Sequence, residues 1–242
     1  MNLSNNQLKL IASLQQKKYR QKHKLFVAEG VKVVEELLNS SFVLEKLFST
    51  NDCAIDVASD QKIEITAVEL KKISQLKTPN KVLGLFQIPE EKEVSSEGLV
   101  VALDAINDPG NLGTIIRLCD WFGVSQLVCS SDTVDCFNQK VVQASMGSLT
   151  RVDIVYTDLL EFLQETNASV FAADMNGKNV YKAKLPKEAV LVMGNEANGI
   201  SNKIMDLVHS KISIPRFGNT QQTESLNVAT ATAILLSEFM RS

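Results

Sequence analysis

The sequence predicts an α/β protein in which a small mixed module precedes a parallel sheet covered by helices on both faces. Three observations predict it. After residue 98, strand-like apolar runs alternate with helical patterns. Those runs are apolar at successive positions rather than at every second one, which is how strands buried on both faces read. The polar, acidic stretch QIPEEKEVSSEG (87–98) separates them from the part before it. With 242 residues, 45% hydrophobic and 22% charged, the chain is long enough to bury a core without disulfide or metal staples.

In the first part, apolar periodicity predicts helices over 5–18 and 29–39, a strand at 43–49 and a helix over 52–58. A short strand at 63–66, a helix over 67–76 and a strand at 82–88 complete it. In the second part the strands are LVVALDAI (99–106), SQLVCSS (125–131), VDIVYT (152–157), SVFAADM (169–175), AVLVMG (189–194) and KISIP (211–215). A helix opens near Asn111 after a Pro-Gly turn, and an apolar helix starts near Glu224. The expected organisation is a domain over 1–90, a linker over 91–98 and a second domain over 99–242.

Twenty-five basic and 28 acidic side chains leave a net charge of −3, which by itself argues against a nucleic-acid partner. The average hides a local excess. Lys9, Lys17, Lys18, Arg20, Lys22 and Lys24 fall in the first 28 residues, which hold no acidic side chain. The four cysteines, Cys53, Cys119, Cys129 and Cys136, form no C-x-x-C pair and read as reduced thiols of a cytoplasmic protein. No apolar run reaches the length of a membrane span.

Ligands of an open parallel sheet bind beyond the carboxyl ends of its strands, so the loops there are where chemistry is expected. Three are polar and bear glycine: INDPGNLGTIIR, VMGNEANGIS and IPRFGNTQQTESLN. Each also has a purely structural reading, as turn chemistry, positive-φ glycines or a capped helix start. What favours a site is their coincidence at successive strand ends. No G-x-G-x-x-G follows the first strand of the sheet and no G-x-x-x-x-G-K-[ST] occurs, so neither a dinucleotide fingerprint nor a P-loop is present. His23 and His209 stand apart from any triad or metal motif.

In order and position the three segments resemble the motifs of the SpoU (TrmH-like) branch of the SPOUT RNA methyltransferases. Asn111 to Arg117 resembles N-x-x-x-x-x-R. Gly194, Asn195, Glu196, Gly199 and Ile200 match G-N-E-x-x-G-[IL]. Ile214 and Pro215, followed by Ser225, Leu226 and Asn227, match I-P and S-L-N. The first part, with KYR and FVAEGVKVVEELL, is similar to the L30e-like substrate-binding domain of the same family.

The resemblance implies methyl transfer from S-adenosylmethionine to a ribose 2′-hydroxyl of ribosomal or transfer RNA, without a metal. It also implies a deep trefoil knot in the second domain and a homodimer packed through it. Arg117, Asn111, Glu196, Ser225 and Asn227 become the expected catalytic set. Met193, Gly194, Asn195, Gly199, Ile214, Pro215 and Leu226 are expected around the cofactor. Lys17, Lys18, Arg20, Lys22, Lys24 and Arg216 are expected to meet RNA. A guanidinium is a poor base, so a bidentate clamp on an RNA phosphate is the physically easier role for Arg117. Ala229, Ala231 and Ala233, with an apolar stripe of Leu226, Ile234, Leu236 and Met240, suit a helix in a dimer interface, or one packed only on its own sheet. The loop between Pro215 and Ser225, ten steps where many family members have seven, is the one departure. A chain that kept the fold as an RNA-binding assembly factor, without catalysis, is the alternative function. A small-molecule enzyme would not need the basic leading segment.

Overall fold

The computed structural model describes residues 3–95, 97–218 and 225–241. In the first part, helices α1 (Asn5–Ser13) and α2 (Lys17–His23) lead into strand β1 (Leu25–Glu29), helix α3 (Val31–Leu38), strands β2 (Leu44–Ser49) and β3 (Lys62–Glu64), helix α4 (Ala67–Ile73) and strand β4 (Val82–Gln87). The strands form one mixed sheet in the order β1-β4-β2-β3.

The second part continues with β5 (Leu99–Asp104), α5 (Pro109–Phe122), β6 (Gln126–Ser130), α6 (Gln139–Ser145), β7 (Asp153–Thr157), α7 (Leu159–Glu165), β8 (Ser169–Asn179), β9 (Ala189–Gly194), α8 (Asn202–Met205), β10 (Ser210–Ser213) and α9 (Val228–Arg241). Its six strands are ordered β10-β8-β9-β5-β6-β7, and every neighbouring pair is parallel. The expected parallel sheet is therefore present. Its two central strands, β5 and β9, are buried along their whole length but for the half-buried Gly194, as strands covered on both faces must be.

The chain forms two compact units, and the first takes in a later segment of the chain besides the residues up to Glu90. One unit takes the described residues up to Glu90 together with Asp135–Thr150; the other takes Glu91–Val134 and Arg151 onward. Residues 135–150, α6 among them, thus belong to the first unit although the strands that flank them belong to the second.

The reason lies in what β1 offers on its two faces. Leu25 and Val27 enter a core with Ile11, Leu14, Leu70, Ile73 and Leu83. Phe26, on the other face, packs against Phe86, Phe42 and Phe137, with ring centroids 5.9, 5.7 and 4.9 Å away. Two polar anchors hold the same segment. Arg20 donates from Nε to Asp135 Oδ2 at 2.8 Å and pairs with it through Nη2. Glu29 accepts from Gln139 Nε2, Ser74 Oγ and the Gln75 N–H, and its burial raises the carboxyl above the usual glutamate range.

Three expectations for the first unit are corrected. The predicted helix 5–18 is two helices. Arg20 Nη1 donates to the carbonyls of Leu14 and Gln15, just past the end of α1, at 2.8 and 3.0 Å, holding the turn between the two helices. The segment 52–58 is not helical: Cys53 and Ile55 are buried while Ala54 and Asp56 are exposed, the period of two of an extended chain. Strand β1 was not expected; five residues in a helix-rich stretch are too few for periodicity to separate the two.

The second unit packs Val100, Val128, Val190 and Val192 against Leu159, Phe162 and Leu163 of α7. Helix α9 lies against α5 and buries Val228, Ala229, Thr232, Leu235, Leu236 and Phe239. The stripe expected along it does not face one way, because Leu236 is buried within the chain whereas Met240 is 44% exposed. The expected start of this helix near Glu224 lies outside the described residues. All four cysteines are buried and none forms a disulfide, and burial pushes the Cys119 thiol up to about 12.

Candidate active site

The chain runs from β5 through β6 to β7 on one side of the sheet, then returns to β8 and β9 on the other side of β5. The carboxyl ends of β5 and β9 therefore part their loops at a switch point, where open parallel sheets take ligands.

Each loop is fixed by side chains that its own sequence supplies. After β5, Asp108 caps α5 by accepting the Asn111 N–H at 2.8 Å, and Pro109 opens the helix. This sets Asn111 in the first turn. After β9, Asn195 Nδ2 donates to the Ala105 carbonyl at 2.7 Å, while its Oδ1 accepts the N–H groups of Ala197 and Asn198. Asn195 thus ties one loop to the other. A Cβ on Gly194 would lie 2.4 Å from Gly199 C and Ile200 N, so only glycine lets this loop fold back on itself.

Asn227 caps α9 by accepting the Ala229 and Thr230 N–H groups at 3.0 and 3.2 Å. The Nδ2 of the same side chain donates to Asn111 Oδ1 at 2.9 Å. Asn111 Nδ2 in turn donates to Glu196 Oε1 at 2.8 Å. One residue from each of the three motif loops thus joins in a single hydrogen-bonded chain, Asn227 to Asn111 to Glu196. An amide suits the middle position, because Asn111 accepts through its oxygen on one side and donates through its nitrogen on the other.

Arg117 lies further along α5, exposed, with no hydrogen bond or ion pair among the described residues. Thr114 and Trp121 share its face of the helix and are exposed too, Trp121 to 83%. Ser225 is exposed beside Leu226, which is 48% exposed. Met193 is buried at the end of β9, and Ile214 and Pro215 are half-buried after β10. Gly199 has φ +69° and open space where a Cβ would stand. Arg216 is exposed, with Nη2 3.1 Å from Met175 Sδ. Of the longer loop expected at 216–223, residues 219–223 lie outside the described residues.

Lys17, Lys18, Lys22 and Lys24 are exposed on and just after α2. Arg20 is the correction in that set. Its side chain is 3% exposed and committed to Asp135 and the end of α1, so it holds the unit together rather than meeting RNA. The sequence reading also missed Asp104, whose Oδ2 accepts the Ser201 N–H at 2.7 Å. The signal was available: a carboxylate closing an otherwise apolar central strand needs a partner.

Comparison with known proteins decides the family. The model of the SpoU rRNA Methylase family matches residues 98–237, and that of the MRM3-like substrate binding domain matches residues 5–84. The chain belongs to the SpoU rRNA methylase family. The 23S rRNA (guanosine(2553)-2′-O)-methyltransferase RlmP of Bacillus subtilis is 30% identical over 241 residues, covering 96% of this chain and 95% of the relative. A TrmH-family protein from Porphyromonas gingivalis superposes with a TM-score of 0.88 at 37% identity, covering 99% of this chain and 98% of that one. The AdoMet-bound rRNA methyltransferase of Sinorhizobium meliloti gives a TM-score of 0.85 at 29% identity, covering 99% and 95%.

The residues of this SpoU site fit S-adenosylmethionine. The half-exposed Leu226 and half-buried Ile200 and Ile214 offer apolar surface to an adenine ring. Gly199 leaves open space for main-chain approach, and Glu196 supplies an anion of the sign a sulfonium needs. Among the described residues no three His, Cys, Asp or Glu side chains gather as a metal site.

Proposed function

We propose that this chain transfers the methyl group of S-adenosylmethionine to a ribose 2′-hydroxyl of ribosomal RNA. The observation that carries the reading is the hydrogen-bonded chain Asn227–Asn111–Glu196 at the switch point, with Arg117, which has no partner among the described residues, further along the helix that bears Asn111. Membership of the SpoU family and the names of its 23S rRNA-modifying relatives support it.

S-adenosylmethionine brings a methyl group already activated on sulfur. What is left for the protein is to align the ribose oxygen with the methyl carbon, worth several orders of magnitude when done well, and to let the hydroxyl proton pass to solvent or a neighbouring phosphate as the C–S bond breaks and S-adenosylhomocysteine leaves. Arg117 fits a bidentate grip on an RNA phosphate, which fixes the neighbouring ribose. Asn111 holds the Glu196 carboxylate in place through one oxygen, and Asn227 holds Asn111. Ser225 adds an exposed hydroxyl at the same rim. Met193, Gly194, Asn195, Gly199, Ile214, Pro215 and Leu226 would hold the cofactor.

The reading extends to a trefoil-knotted second domain and a homodimer through the exposed faces of α5 and α9. Trp121 and Met240, both apolar and exposed, support such an interface, and sedimentation of a Trp121→Glu variant tests it: the dimer should dissociate, and an unchanged sedimentation coefficient would exclude this face. Four buried cysteines without a disulfide support a reducing, cytoplasmic setting.

Incubating the protein with methyl-labelled S-adenosylmethionine and total RNA from a strain lacking it tests the enzyme reading. Label should enter ribosomal RNA. Tight RNA binding with no label transferred would instead make it an RNA-binding assembly factor.

A further inference from the structure

We infer that the ring pair Tyr19–His23 on α2 stacks against unpaired bases of the RNA substrate, so that the N-terminal unit selects single-stranded loops over continuous duplex. The inference rests on the proposed RNA-modifying function and adds what part of the RNA this unit reads.

Arg20 sets which way α2 faces. Its guanidinium is spent on Asp135 and on the carbonyls of Leu14 and Gln15, which fixes the inward side of α2. Each residue turns a helix by about 100°. Lys18 and Lys22 therefore lie on the side opposite Arg20, and Tyr19 and His23, four residues apart, share one flank. The two rings are nearly parallel, 22° between planes with centroids 6.4 Å apart. Lys18 Nζ lies 4.8 Å from the centroid of the Tyr19 ring.

His23 is exposed and Tyr19 half-buried, and Lys17, Lys18, Lys22 and Lys24 around them are all exposed. Aromatic faces interleaved with cations, without a carboxylate in the first 28 residues, match a polyanion that also offers flat π-surfaces. Unpaired nucleotides have both features, whereas a duplex hides its base faces. The lysines alone would bind either form.

The test uses the full-length protein and two fluorescein-labelled RNAs: a hairpin with a single-stranded adenine loop, and a continuous duplex of matched length. The Tyr19→Ala/His23→Ala double variant should bind the hairpin about tenfold more weakly while its affinity for the duplex and its salt dependence stay unchanged. Tyr19→Phe, which keeps the ring, should bind as the wild type does, showing that the loss is not a folding defect. Lys18→Gln/Lys22→Gln should weaken both RNAs and flatten the salt dependence.

Equal weakening of hairpin and duplex by the double ring variant, or no weakening of either, would overturn the inference. If the wild type methylates RNA and yet the ring variant binds the hairpin normally, only the stacking role fails. If the wild type binds neither RNA and transfers no methyl group, the proposed function falls with it.

Discussion

Arg20 and Arg117 both lie on helices, yet they stand in opposite surroundings. Arg20, in the N-terminal unit, is buried and has its donors committed: to Asp135 and to two main-chain carbonyls. Arg117, in the catalytic unit, is exposed on α5 with no partner among the described residues. The same contrast runs through the polar clusters beside them. Glu29, Ser74 and Gln139 form a network around a buried carboxylate, whereas Glu196, Asn111 and Asn227 form an open chain with Glu196 at the surface. A satisfied, buried polar group is scaffold; one held in position but still open to solvent is equipped to meet a ligand.

Replacing the two arginines separates these roles. Arg20→Ala strips a nearly buried ion pair and strands two helix-end carbonyls, and should cost about 3 kcal/mol of stability, read as a lower thermal midpoint. A midpoint unchanged within a degree would break the comparison from the scaffold side. Arg117→Ala should leave the midpoint and the S-adenosylmethionine affinity in place and lower methyl transfer by about 10²- to 10³-fold. Equal loss of cofactor binding and turnover would contradict a phosphate clamp.

Asn111→Asp keeps the size of the side chain but removes the donor to Glu196 and sets two carboxylates side by side. A fall in turnover of about tenfold to a hundredfold is expected, and full activity would show that the hydrogen-bonded chain is incidental. The smallest effect belongs to Glu29→Gln. Its carboxyl is raised in the folded protein, so just above the unfolded glutamate value the native state holds more protons than the unfolded one. Stability therefore falls as pH rises through that window. The glutamine variant should lose this slope and differ at neutral pH by no more than about 1 kcal/mol; an unchanged slope would place its origin elsewhere.

Much of this was legible in the sequence. The central strands of the parallel sheet could be read because strands buried on both faces show unbroken apolar runs, and the site could be read because its polar residues follow those runs directly. What was hidden depended on partners distant in the chain. Nothing near Arg20 announces Asp135, 115 residues away, so a buried anchor looked like another surface cation. Residues 135–150 likewise read as part of the second domain, because it is Phe26, Arg20 and Glu29 that draw them into the first unit. Strand β1 and the extended stretch around Cys53 and Ile55 were too short for periodicity to arbitrate.

If this rim methylates ribose, the transferred group must sit on the sugar, and its chemical position can be read from labelled RNA. Ribosomal RNA labelled by the wild-type protein would be digested with alkali, which cannot cleave next to a 2′-O-methylated ribose. Label should be recovered in alkali-resistant dinucleotides, and Arg117→Ala should yield almost none. Label recovered on bases of ordinary mononucleotides would contradict ribose methylation.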